Sequence, residues 1–140
     1  MEKARALLTG TLCERMGMTV LALSPDESRL SMPVEPNRQP HGLLHGGATI
    51  ALAETAISLA AQVHAENIHG EGAAAVGTSF SATHHAPARD GRVHVTARAE
   101  HLGRTSAHYI AHVRREDGTL VSTVLGTTRL LPPRSENSSN

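Results

Sequence analysis

The chain has 140 residues, 39% hydrophobic and 19% charged, with 12 Gly and 7 Pro, which is the composition of one globular domain able to bury its own core. Thirteen basic residues balance thirteen acidic ones, and Phe80 and Tyr109 are the only aromatics among Phe, Trp and Tyr. That argues against nucleic-acid and anionic-membrane partners, which call for a basic field or stacking platforms.

A single cysteine, Cys13, supports neither an internal disulfide nor a CxxC metal site. Met1–Leu8 lacks the apolar run of a signal peptide, and no uninterrupted apolar stretch approaches the roughly 20 residues of a membrane span. The expectation is a cytoplasmic protein. Residues 2–14 are expected to form a short amphipathic helix, with Ala6, Leu7 and Leu12 on or near one face. Met18–Leu23 and Arg29–Val34 read as strands, and Pro25 and Asp26 between them suit a hairpin turn.

After a Pro-containing loop, Gly46–Val63 carries one charge, Glu54, in an otherwise apolar or small-residue run. Ile50, Leu52, Ile57, Leu59 and Val63 are spread around a helical wheel. A helix apolar nearly all round is normally enclosed by its own protein. Stop signals follow at 67–72. Period-two alternation then marks Ala75–Thr83, Arg92–Ala99, Ser106–Arg114 and Leu120–Leu131, separated by turn clusters at 87–91, 103–104 and 116–118. These strands predict an antiparallel meander, and the whole an α+β fold in which a curved sheet of five or six strands wraps one long helix. Residues 1–131 form the expected single domain, and 132–140, without apolar anchors, a disordered tail.

A lone carboxylate in a buried helix demands a partner or a function, because unpaired buried carboxylates are rare. Glu54 therefore reads either as a residue on a strip reaching solvent or as a general base or nucleophile. Ser58, four residues on, shares its face. Ahead of the helix stands Gln39-Pro40-His41-Gly42-Leu43-Leu44-His45-Gly46-Gly47, where unpaired backbone N–H groups and the helix dipole suit a developing oxyanion. Glu54 lies eight residues beyond Gly46, or about 12 Å along the axis. One helix cannot easily bring both to a single reacting group. Two antiparallel copies can, so an obligate homodimer with paired sites is expected.

Gln39, His45-Gly46-Gly47 and Glu54 followed by Ser58 resemble the hotdog-fold acyl-CoA thioesterases of the 4-hydroxybenzoyl-CoA thioesterase type, which use a catalytic Glu. The 39–48 run is similar to that of two bacterial branches. One cleaves 1,4-dihydroxy-2-naphthoyl-CoA; the other removes misloaded acyl groups in enterobactin synthesis. Ala82-Thr83-His84-His85 and His101-Leu102-Gly103-Arg104 extend the likeness, which covers residues 15–131. The resemblance implies a helix wrapped by an antiparallel sheet, and dimers usually paired into tetramers. It implies that Glu54 attacks the thioester carbonyl or activates water, that the Gly46 amide and Gln39 polarise the carbonyl oxygen, that His45 orients the loop or thioester, and that Ser58 assists hydrolysis. It also implies that Gly103, Arg104 and Thr105 meet CoA phosphates and that His84 stands near the pantetheine or acyl end.

Thiolates leave readily, so neither a metal nor a redox cofactor is expected, CoA being part of the substrate. The ten histidines invite a zinc site, but no HExxH or Cys pair anchors one. Two rivals remain: an acyl-thioester hydratase or dehydratase of the same fold, and a non-catalytic acyl-CoA-binding module.

Overall fold

A computed structural model describes residues 1–134; six residues of the expected tail, 135–140, lie outside the described residues. Two short helices, α1 (Glu2–Leu8) and α2 (Leu12–Arg15), precede β1 (Thr19–Leu23) and β2 (Glu27–Pro33). The long helix α3 (Gly46–His69) follows, then β3 (Ala74–His84), β4 (Arg92–Leu102), β5 (Ser106–Arg115) and β6 (Leu120–Leu131). All six strands form one antiparallel sheet in the order β1-β2-β4-β5-β6-β3.

The single helix expected over 2–14 is broken. Gly10, at φ +76°, sits between the two pieces, a conformation that glycine adopts without steric cost. Its buried face also differs: Ala4 and Leu8 are buried, while Leu7 and Leu12 are exposed. The meander holds for β4–β6 only. β3 crosses to the far edge and pairs with β6, from Ala74 opposite Leu131 to His84 opposite Ser122. Period-two patterning specifies a strand's faces and leaves its neighbours open.

The sheet packs on α3 through alanine. Leu52, Ala53, Ala56, Ile57, Ala60 and Ala61 are fully buried against Leu30, Met32, Val95, Val113 and Val124, and the small side chains let the helix lie close to the strands. Ser28, buried in β2, donates to the Ala56 carbonyl at 2.6 Å. The helix ends at Gly70, whose N–H donates to the Glu66 carbonyl.

Enclosure of α3 by its own chain is incomplete. Gly47 and Glu54 are exposed, and Ile50 and Ser58 are half-buried. At spacings of three, four and four, these residues form one stripe that the sheet leaves open. The C-terminal part of the open side is covered: Leu59 and Val63 share a hollow with Ala4 and Leu7 of α1, and Lys3 reaches Glu66 at 3.6 Å. At 24 residues, and with a mean hydropathy of 1.2 over its most apolar part, this helix is long and apolar enough to cross a membrane, although Glu54 interrupts the apolar run. Its fully buried face shows it as a core helix under a sheet.

Candidate active site

The loop before α3 is built by its own polar residues. Asn37 Nδ2 donates to the carbonyls of Met16 (2.8 Å) and Pro33 (2.9 Å), and His45 N–H donates to the Asn37 carbonyl. Arg38 donates to Glu35 and to the carbonyls of Gly42 and Arg89. Leu44 N–H donates to the Ala88 carbonyl at 2.8 Å. These bonds fasten the loop to β2 and to the β3–β4 connection, at the mouth of the helix.

His45 occupies the N-cap position, and its Nδ1 accepts the Gly47 N–H at 2.8 Å. A neutral ring so engaged carries its proton on Nε2. The Gly46 amide belongs to the first turn, whose N–H groups have no acceptor within the helix. A Cβ on Gly46 would stand 2.8 Å from His84 Nε2, so glycine is what allows the imidazole this close to the helix start. His84 Nδ1 lies 2.6 Å from the hydroxyl of Ser122, which is fully buried.

Gln39, Gly46, Thr49 and His84 line one cavity of 340 Å3, together with apolar side chains such as Leu43 and Leu44. The Gln39 side-chain oxygen accepts from His41 N–H. With its oxygen engaged, the amide has its NH2 to offer a ligand. The cavity therefore gathers an amide NH2, an imidazole and the positive end of a 24-residue helix, a set of donors suited to a carbonyl oxygen acquiring charge.

Glu54 is not in that cavity. It is exposed, on a strip reaching solvent as one of its two readings has it, and stands over β3: its Oε1 would be 3.3 Å from a Cβ on Gly77. Phe80 flanks it there, 2.6 Å from the same point. Ser58 lies on the same open stripe. The turn holding Gly103, Arg104 and Thr105 sits at the other end of α3, bonded to His64 and His69. The chain thus unites Gln39, Gly46 and His84, caps the helix beside them with His45, and leaves Glu54, Ser58 and the 103–105 turn apart.

The histidines have separate partners: His85 pairs with Thr123, and His101 meets His108 edge to face. Among the described residues no three His, Cys, Asp or Glu converge as a metal site would require. Ser122 escaped the sequence reading. Its signal is a polar residue at the inward parity of β6, in phase with Val124 and Thr128. Two groups with displaced acidity lie outside the cavity. Burial, then Asp26, raises the Tyr109 hydroxyl, and hydrogen bonds from Arg115 and Thr119 hold Asp117 well below the usual carboxylate range.

Against this geometry, the model of the thioesterase superfamily matches residues 41–122, which include Gly46, His84 and Glu54 but not Gln39. The chain belongs to the thioesterase superfamily. Its similarity to the proofreading thioesterase EntH of Cronobacter sakazakii is 36% identity over 132 residues, 94% of this chain and 93% of that one. EntH of Klebsiella pneumoniae is 40% identical over 122 residues, 86% of each chain. The crystal structure of a Haemophilus influenzae thioesterase superposes with a TM-score of 0.88 at 30% identity, covering 97% of this chain and 93% of that one. The sheet wrapped on α3 is the hotdog fold of this superfamily, and the protein is a thioester hydrolase.

Proposed function

We propose that the enzyme hydrolyses acyl-CoA thioesters, with an aryl acyl group favoured, at sites shared between two antiparallel subunits. The observation that carries this is the division of the chemistry. The carbonyl-polarising donors stand at the start of α3, and the only carboxylate of the helix before Glu66 stands about 12 Å further on, on the stripe left open by the sheet. β3 beside it is an outer strand of 11 residues, mostly exposed. An unpaired strand edge of that length is a template for pairing with a second chain. Antiparallel pairing of two α3 helices across this edge sets Glu54 of the partner subunit at the cavity holding Gly46.

In the shared site the thioester oxygen takes hydrogen bonds from the Gly46 N–H and the Gln39 NH2. Glu54 either removes a proton from water as its oxygen bonds to the carbonyl carbon, or attacks that carbon itself to give an anhydride that water then opens. In both routes the C–S bond breaks, the CoA thiolate leaves and takes up a proton, and the acid is released. Ser58, one turn beyond Glu54, holds the attacking water; His45 fixes the loop. His84 meets the pantetheine or acyl end, Gly103, Arg104 and Thr105 meet the phosphates, and no cofactor takes part. Phe80 beside Glu54 is an apolar wall for a ring, and the aryl preference otherwise rests on the sequence resemblance. Exposed Leu125 and Val76 on the sheet suit a further pairing of dimers into a tetramer. CoA esters place the enzyme in the cytoplasm.

The test is free-thiol release from hydroxybenzoyl, dihydroxynaphthoyl, phenylacetyl and straight-chain CoA esters. Glu54→Gln should lower kcat by several orders of magnitude with little change in KM. Co-expressed Gln39→Ala and Glu54→Ala chains, each inactive alone, should regain activity through hybrids holding one intact site. An unchanged kcat for Glu54→Gln removes its role, and hybrids without activity remove the shared site.

A further inference from the structure

Three successive carbonyls of the β4–β5 turn are each taken by a donor from outside it. His64 Nε2 donates to Gly103 O at 2.7 Å and His69 Nε2 to Arg104 O at 2.6 Å. The Leu130 N–H donates to Thr105 O at 2.8 Å. A carbonyl only accepts, so both imidazoles carry a proton on Nε2. His64 is 7% exposed and meets half-buried Gly103 from beneath.

These contacts dictate what the turn shows on its other side. A trans peptide is planar, with its N–H directed opposite to its C=O. Holding the Gly103 and Arg104 carbonyls toward α3 therefore turns the N–H groups of Arg104 and Thr105 away from it. The Arg104 and Thr105 side chains are exposed on the same turn. Successive outward N–H groups beside a guanidinium form a concave anion site. The shape has little freedom at its base: a Cβ on Gly103 would fall 2.9 Å from both His101 Nε2 and the Ser106 carbonyl.

His64 lies 18 residues beyond Gly46, roughly 27 Å along the helix. The turn is too far to serve its own cavity. In an antiparallel pair with Glu54 opposite the partner's Gly46, His64 lies only about 15 Å beyond that helix start, within reach of an extended ligand.

We propose that His64 and His69 are positioning residues, which fix the β4–β5 turn so that Arg104 and the N–H groups of Arg104 and Thr105 grip the phosphates of the CoA thioester bound in the partner's cavity. This deepens, and rests on, the reading of Arg104 as a phosphate contact. The experiment compares the aroyl-CoA ester that wild type cleaves fastest with its N-acetylcysteamine counterpart, which lacks the phosphates. The variants are Arg104→Ala, His64→Ala, His64→Gln, His69→Ala and His69→Gln. Loss of either ring should raise KM for the CoA ester roughly five- to tenfold, the worth of one ordinary hydrogen bond. kcat and the cysteamine ester should be little affected, and Gln, whose NH2 replaces the Nε2 donor, should recover most of the loss.

Arg104→Ala separates the two claims. If it affects both esters alike, the phosphate reading fails and this proposal with it. If it spares the cysteamine ester while the histidine variants do not, or if Gln fails to recover what Ala loses, the histidines are structural and the proposal alone is overturned. Should His64→Ala not fold, half-buried His69 carries the test.

Discussion

Gly46→Ala puts the close approach of His84 to the helix start to a direct test. The added methyl would stand 2.8 Å from His84 Nε2, closer than real carbon contacts come, and 3.3 Å from its Cδ2, tighter than most. The His84 side chain is exposed, and a free imidazole there would swing away at small cost. This one is bonded through Nδ1 to a fully buried serine hydroxyl at 2.6 Å, so it moves only by giving up that bond. Overpacking costs about 1–3 kcal/mol and the broken bond about 1 kcal/mol. Replacing Gly by Ala returns at most about 1 kcal/mol, less in a first turn. The net is about 2 kcal/mol, or about 6–10 °C in melting temperature for a chain of this length. Calorimetry at one fixed protein concentration, since subunit association would shift the transition, measures it. In a His84→Ala background the three atoms nearest the methyl are gone, and the same substitution should cost under about 0.5 kcal/mol, a coupling of about 1.5 kcal/mol. Equal costs in the two backgrounds would show that His84 is not what the methyl strikes.

Tyr109 is the sole tyrosine in a chain without tryptophan, so absorbance at about 295 nm follows it alone. Burial and Asp26 raise its pKa above the ordinary value of 10.0. Its contribution to stability is therefore complete below about pH 10, where neither state ionises, and is lost as pH rises and the unfolded chain gives up its proton first. Phenolate absorbance should appear together with loss of circular dichroism; a rise near pH 10 in folded protein would contradict this. Gln62 joins α3 to the start of β3, donating to Ala73 O at 2.8 Å and accepting from Ala75 N–H at 2.9 Å. Gln62→Ala should cost about 2 kcal/mol and speed hydrogen exchange at the Ala75 amide, whereas an unmoved melting temperature would mean that water replaces both bonds.

The sequence makes strands and helix legible for the same reason that it hides the site. Alternation such as Val93, Val95 and Ala97 against His94, Thr96 and Arg98 declares two faces of a sheet, and all three apolar members are buried. The declaration is local. It contains nothing about which strand comes next, so the pattern puts β3 in the meander although it forms an edge. α3 presents the same limit on a larger scale. Apolar residues all round predict enclosure, and the wheel cannot distinguish a wall supplied by the same chain from one supplied by a second copy. Leu52, Ala56 and Ala60 find the first kind; the described residues leave Ile50 and Ser58 half-buried and Glu54 exposed. The 12 Å between Gly46 and Glu54, by contrast, follows from helical rise alone and survives folding unchanged. It needs only that the segment be helical, which is why the spacing bears on the proposed two-subunit site while the burial pattern does not. Ser122 marks the opposite extreme. Its contact with His84 depends on β3 crossing the sheet to lie beside β6, the one step of the topology that no local pattern specifies.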